Sequence, residues 1–308
     1  MSPLDEVHDL GGTGLRVPAV VLGTAALGRH VERDAAHEVL RRAAHAGWRT
    51  WDTSNEYGDA ESRIGAVLPG IEGAVQVFTK VDPAPGTTDF SGARVRASVQ
   101  ESLDRLGVGR LPLVHLHDPE RTPFEEAMAP DGPVRALLAL RDAGTVGHVG
   151  VAGGPVELLR RFVRTGEFEA VVTHNRFTLL DRSAEPLLDE CADRGVGLLN
   201  AAPFGGAALA TDDGPVRDYH YRPVDDVQRE AVLRIRAIAA DAGVPVGALA
   251  LRSSTRDPRV AGTIVGVSSP AQLEQVLAWA ALPVPDGVWD ELDAVRPGPS
   301  HWAGPHGR

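Results

Sequence analysis

Four residues in the first 117 positions have types that complement one another chemically: Asp52, Tyr57, Lys80 and His117. The chain holds 31 basic residues, and only Lys80 among them is a lysine. A guanidinium keeps its proton permanently, whereas an ammonium is compact and is tuned by burial and neighbours. A lysine left behind by a drift toward arginine is the plain alternative. Lys80, however, ends an apolar strand-like run, Val75-Gln76-Val77-Phe78-Thr79-Lys80, and not a polar helix face. A phenol with a pKa near ~10 is a poor proton donor or acceptor at neutral pH. An adjacent ammonium stabilises the phenolate and lowers that value, while a buried ammonium needs a counter-charge, which Asp52 supplies. His117 then orients and polarises a carbonyl or alcohol oxygen. The set predicts an acid–base tyrosine that moves a proton on oxygen while another group moves a hydride. Taken singly, Asp52 also reads as a turn cap, Tyr57 as a rim residue and His117 as a partner for a backbone carbonyl.

These side chains need a frame that collects them. Short apolar runs alternate with helix-period segments almost to the C-terminus. Candidate strands are Val20–Thr24, Arg49–Asp52, Val75–Lys80, Leu113–His117, Val149–Val151, Ala170–Thr173, Val196–Asn200 and Gly262–Gly266. Asp34 is the expected cap of a helix stopped by Gly47, Ser91 of one stopped by Gly107, and Ser183 of one stopped by Gly195. Eight strands alternating with helices predict a parallel (β/α)8 TIM barrel, with a doubly wound sheet as the alternative. Gly11-Gly12-Thr13-Gly14 follows a polar stretch and lacks a third glycine, so it reads as the turn of an N-terminal β-hairpin, not a phosphate loop. The segment 211–226 and the tail from Pro297 read as long loops covering the C-terminal mouth. In such a barrel the catalytic groups sit at the C-terminal strand ends, where Asp52, Lys80 and His117 fall, with Tyr57 five residues beyond Asp52.

The length of 308 residues suits one barrel domain over 1–308, and 43% hydrophobic with 24% charged residues is ordinary for a globular protein. A net charge of −11 argues against nucleic acid and anionic membranes as partners. It still allows an anionic cofactor held by backbone N–H groups at a helix N-terminus. The single cysteine, Cys191, excludes an internal disulfide and fits a reducing cytosol. The acidic start lacks a leader pattern and no apolar run approaches the ~18 residues of a membrane span. A cytoplasmic protein, monomeric or weakly self-associating, is expected.

The chain resembles the aldo-keto reductases from Leu10-Gly11-Gly12-Thr13-Gly14 to the segment around Gly266. Asp52-Thr53-Ser54-Asn55-Glu56-Tyr57-Gly58, Phe78-Thr79-Lys80 and His117-Asp118-Pro119 fall in the order and spacing of that family's catalytic tetrad. The resemblance implies a barrel that binds NAD(P)H in an extended pose, with Tyr57 as acid–base residue. Three segments look most like the aldose 1-dehydrogenase group, which oxidises sugars of the L-fucose, D-threo-aldose and L-galactose type to lactones, with pyridoxal oxidation among its relatives. They are His117-Asp118-Pro119-Glu120, Asn175–Arg182 and Leu199–Gly206. Carried over by position, cofactor contacts are expected from Gly23, Thr24, Asp52, His174, Asn175, Ala202, Pro203, Phe204, Gly205 and Gly206. The adenosine end falls to Gly266, Val267, Ser268, Ser269, Gln272 and Gln275. The expected substrate wall is Leu27, Trp51, Tyr57, His117 and Asp118, with His301 and Trp302 from the tail.

There are departures. Many members follow strand five with Ser-Asn, which holds the nicotinamide carboxamide, where this chain has Ala152-Gly153. The usual strand-six Gln is His174, and the Tyr that commonly stacks on nicotinamide is Ala201. An Arg often reads the 2′-phosphate where Ser268 stands, so of NAD and NADP the reading leans to NAD.

Three rivals are separable. His115-Leu116-His117 with His148 and His174 suggests a zinc hydrolase of the amidohydrolase type, but Lys80 then precedes the pair instead of following it, and Asp52 and Tyr57 are idle. No metal is therefore expected. A non-catalytic, nucleotide-binding subunit of the same fold would not need the intact tetrad. A general aldehyde or ketone reductase uses the same machinery in reverse.

Overall fold

The computed structural model describes residues 4–219 and 222–295. Its strands are β1 (Val7–Asp9), β2 (Arg16–Pro18), β3 (Val20–Gly23), β4 (Thr50–Asp52), β5 (Gln76–Val81) and β6 (Leu111–His117), then β7 (Val146–Gly153), β8 (Ala170–His174), β9 (Gly197–Ala201), β10 (Asp218–Tyr219), β11 (Arg222–Pro223) and β12 (Gly262–Gly266). Eight of them close a parallel barrel in the order β12-β3-β4-β5-β6-β7-β8-β9. The expected (β/α)8 architecture is thus observed, and all eight candidate strands belong to it. β1 and β2 pair antiparallel around the Gly11–Gly14 turn, as expected.

The helices are α1 (Ala25–Arg29), α2 (Arg33–His45), α3 (Ala60–Val67), α4 (Gly92–Leu106), α5 (Phe124–Ala127) and α6 (Pro133–Asp142), then α7 (Val156–Arg164), α8 (Glu185–Arg194), α9 (Asp226–Ala242), α10 (Val246–Thr255), α11 (Pro270–Ala281) and α12 (Asp286–Asp293). Ser91 caps α4 by accepting from the Arg94 N–H, and Gly107 closes it in the left-handed conformation, as the sequence predicts. Two expected caps are corrected. Glu32, not Asp34, precedes α2, and Asp34 lies in its first turn where a carboxylate still favours the helix dipole. Ala184, not Ser183, precedes α8.

Strand alternation divides the side chains into two layers. Val20, Leu22, Trp51, Val114, Leu116, Val149, Val151 and Val171 point outward and pack beneath the helices. Val21, Phe78, Leu113, Ala152, Ala170, Val172, Leu199 and Ile264 fill the barrel interior together with Leu10 and Val17 of the hairpin region. Gly150 belongs to this inner layer because His115 occupies its side-chain space: a Cβ there would lie 2.4 Å from His115 Cδ2. The segment 211–226 carries the β10–β11 pair and packs Val216, Tyr219 and Val224 against α9 and α10. No described helix is long and apolar enough to cross a membrane.

Candidate active site

Inward positions at the strand ends bring Asp52, Lys80 and His117 to the same mouth. Lys80 Nζ donates to Asp52 Oδ2 at 2.7 Å and to the Thr53 carbonyl at 2.7 Å. The pair is dry, with Lys80 2% and Asp52 3% exposed. Tyr57 leans in from the loop after β4: Lys80 Nζ stands 4.6 Å from its ring centroid. His117 meets the same ring edge-on at 5.9 Å. The four residues singled out by their chemistry are therefore together.

The electrostatics correct one expectation. Burial lifts the phenol of Tyr57, and although Lys80 pulls it down, the result is about 12. The phenol is not acidified below its ordinary value. Desolvation of the phenolate outweighs the pull of Lys80, and Asp52, which neutralises the ammonium, adds to it by disfavouring a second negative charge beside it. For Lys80 itself, burial opposes charge but Asp52 and Tyr57 more than compensate, so its pKa is raised.

The Tyr57 loop is held from below and above. Gly28 of α1 lies so close that a Cβ would sit 1.8 Å from the Tyr57 carbonyl. Arg121 grips both oxygens of Glu56 at 2.6 and 2.8 Å and also reaches Asp118 Oδ2 at 2.9 Å, tying the loop to the one after β6. Asn55 joins Glu101 at 2.8 Å, which is doubly bonded to Arg94.

Asp82 went unnoticed in the sequence. It is fully buried, with Oδ1 2.6 Å from His117 Nδ1 and Oδ2 accepting from Ser54 Oγ at 2.5 Å. Burial opposes its ionisation, but His117 and Ser54 bring its pKa to about 2. The available signal was its position: two residues after Lys80, it shares the inward face. Glu120 ends the His117-Asp118-Pro119-Glu120 segment. Its Oε2 is buried without a hydrogen-bond partner, and a Cβ on Gly153 would lie 3.3 Å from it. Burial and Asp118 raise this carboxyl to about 7. A polar group thus fills the space beside the Ala152-Gly153 strand end.

Other expected contacts divide. Asp118 adopts φ 41°, with Oδ1 3.8 Å from His117 Nε2. His174 and Asn175 sit beside each other at the end of β8; Asn175 has φ 56° and a buried, unpartnered Oδ1. Burial depresses His174 to about 4, so the ring is neutral. Gly23 and Gly266 are register partners, and the Thr24 hydroxyl donates to the Asp52 carbonyl at 2.9 Å. Ala202 has φ 58°, Pro203 is buried, Phe204 stacks edge-on against Trp279, and Gly205 lies under the Tyr219 ring, with Gly206 exposed beside it. Ser269 caps α11 by accepting from the Gln272 N–H, and Ser268 donates through N and Oγ to Gln272 Oε1, both at 2.8 Å. Gln275 is exposed one turn further along.

Three side chains are not at the mouth. Trp51 alternates with Asp52 and so points outward, buried, with its indole donating to the Trp48 carbonyl at 2.7 Å. Leu27 and Val267 are likewise core residues at 1% exposure each. They belong to neither the substrate wall nor, through its side chain, the adenosine site. His301 and Trp302 lie outside the described residues. The histidines of the zinc reading do not converge: His148 Nδ1 is 2.6 Å from Glu169, His117 faces Asp82, and His115 is buried inside the barrel. Among the described residues only Glu56, Asp82 and His117 bring three potential ligand atoms within 4.8 Å, and Glu56 is engaged by Arg121.

A dinucleotide fits what is present. Orphaned acceptors at Asp52 Oδ1, Asn175 Oδ1 and Glu120 Oε2 cluster at strand ends, as does the positive φ of Asp118, Asn175 and Ala202. Such unusual backbone conformations gather at ligand sites.

Comparison with known proteins gives a consistent picture. The sequence model of the Aldo/keto reductase family matches residues 19–297. The chain is 34% identical to a D-threo-aldose 1-dehydrogenase of a Pseudomonas species, over 92% of this chain and 95% of that protein. It is 29% identical to an L-galactose dehydrogenase of Arabidopsis thaliana, over 89% and 87% respectively. A pyridoxal 4-dehydrogenase of Microbacterium luteolum is 28% identical over 93% and 96%. Among solved structures, the holo form of an aldo-keto reductase from Bacillus halodurans has a TM-score of 0.77 at 19% identity, covering 94% of this chain and 96% of that one, which bears on fold alone.

Proposed function

Because the chain belongs to the aldo/keto reductase family, whose members generally use NAD(P)H, we propose that it oxidises an aldose at C1 to a lactone with NAD or NADP, and with NAD by preference. One observation carries this reading: a buried Asp52–Lys80 ion pair pressed against the Tyr57 ring, with His117 at the ring's edge. When bound, the nicotinamide supplies the hydride acceptor. Asn175, His174 and Glu120 would hold its ring end, and Gly266, Ser268 and Ser269 the adenosine end. Tyr57 exchanges the proton of the anomeric oxygen, and Lys80 fixes the phenol oxygen by hydrogen bonding. His117 orients that oxygen. Asp118 is partly exposed and its pKa is lowered: burial opposes ionisation, but His117 favours the anion. A carboxylate there accepts hydrogen bonds from sugar hydroxyls.

The aldose assignment also draws on the D-threo-aldose and L-galactose dehydrogenases among the relatives. The test is a dehydrogenase screen of L-fucose, L-galactose, D-arabinose and pyridoxal with NAD and NADP, read by cofactor absorbance. Turnover of an aldose is expected, faster with NAD. Turnover of pyridoxal alone would reassign the substrate, and reduction of simple aldehydes without any sugar oxidation would overturn the direction.

A further inference from the structure

We infer that Asp82 is a positioning residue: it holds His117 with Nδ1–H donating to its carboxylate and Nε2 turned to the mouth, so that the ring stores the proton Tyr57 exchanges with substrate. This rests on the proposed dehydrogenase reading and adds to it a residue outside the tetrad.

The geometry leaves little choice of tautomer. Both Asp82 oxygens are already acceptors, Oδ1 toward His117 Nδ1 and Oδ2 toward Ser54 Oγ and, at 3.3 Å, the Glu56 N–H. The Asp82 backbone is fixed as well: Arg94 Nε donates to its carbonyl at 3.0 Å and its N–H donates to Ser98 Oγ at 3.3 Å. An ionised carboxylate so held can only accept, so Nδ1 must carry the proton between them. Nε2 is then the atom that gains or loses a proton. Other charged or titratable groups facing the ring are Asp118 on its own loop, Glu56 above, Glu120 beyond, Lys80 and His115 below and His174 across the mouth. Asp82 is the charged group in hydrogen-bond contact with Nδ1, the Ser54 hydroxyl lying further off at 3.4 Å, and against the effect of burial Asp82 and Asp118 together raise the pKa of His117.

The store answers a difficulty set by Tyr57. A neutral phenol cannot accept the hydroxyl proton of a substrate unless it gives up its own. In the oxidation direction the substrate O–H proton passes to the Tyr57 oxygen, the Tyr57 proton passes to His117 Nε2, and the C1–H electron pair leaves as hydride to the oxidised nicotinamide. The C–O bond becomes C=O. The charge gained by His117 faces the Asp82 carboxylate, and reduction runs the same path backward.

Nitrogen-detected NMR of histidine-labelled free protein, with His117→Asn for assignment, tests the tautomer without substrate. The expected result is a proton on Nδ1 and a His117 midpoint above ~6.5 that falls by about one pH unit or more in Asp82→Asn. Protonation on Nε2, or an unchanged midpoint in that variant, would overturn the inference. Should Asp82→Asn fold poorly, Ser54→Ala should move the midpoint the same way by less; no movement there also counts against it. In turnover, Asp82→Asn should lower the oxidative kcat about 10²-fold, shift the acid limb of kcat to lower pH and leave the cofactor Kd unchanged. A loss confined to KM, with the pH profile intact, would make Asp82 merely structural. A negative aldose screen would sink the activity, whereas the NMR result separately decides the dyad.

Discussion

Lys80 donates to two acceptors at once, so its nitrogen is not free to drift from the Tyr57 ring. An arginine there must place a planar fork where a single point charge fits, and Lys80→Arg should displace the phenol and reduce kcat by at least ~10². Tyr57→Phe removes the exchanged proton and should abolish turnover while cofactor binding, followed by fluorescence titration, stays largely intact. Unchanged kcat in either variant would remove the residue from the chemistry. Glu120 makes a thermodynamic prediction. Its folded pKa of about 7 exceeds the ordinary 4.5, so the folded state binds the extra proton and stability falls as pH rises from about 4.5 to about 7. Glu120→Gln removes that penalty. The Tm difference, variant minus wild type, should therefore grow across that window, and a constant difference would contradict the raised value.

Strand alternation decides which of two neighbouring residues is chemical and which is structural. Asp52 and Trp51 are adjacent, yet one faces the mouth and the other the helices; the same rule places Asp82 beside Lys80. Read strictly, that period would have kept Trp51 off the expected substrate wall and put Asp82 on the list. Leu27 and Val267 were less legible, since burial of a short loop-flanking residue depends on what packs over it. Contact between elements matters as much as direction. Gly28→Ala places a methyl against the Tyr57 carbonyl, which must move. We expect a Tm loss matching roughly 1–3 kcal/mol of overpacking together with a fall in kcat. Wild-type activity would show that the α1 contact does not position Tyr57.

Across the whole molecule, a phenol of the late insertion fastens it to the mouth. Tyr219 donates to the Asn175 carbonyl at 2.8 Å and meets Thr178 Oγ1 at 3.0 Å, joining 211–226 to the loop after β8. Tyr219→Phe should cost about 1 kcal/mol and raise the KM for cofactor more than it lowers kcat, because Asn175 loses support while Tyr57 keeps its own. Equal KM values would mean that the insertion does not steady the cofactor end.

The alternation of apolar runs, the helix caps at Ser91 and Gly107 and the four complementary residue types were written in the chain itself. They depend on periods of 2.0 and 3.6 residues and on local backbone preferences, so the barrel, and the meeting of Asp52, Tyr57, Lys80 and His117 at its mouth, could be expected from the sequence. Tertiary structure alone decided the balance of charges. Whether Tyr57 is acidified, whether Glu120 keeps a proton and which nitrogen of His117 is free depend on desolvation and on partners 28 or 35 positions apart. Those energies vary with distance and burial, neither of which exists until the barrel closes.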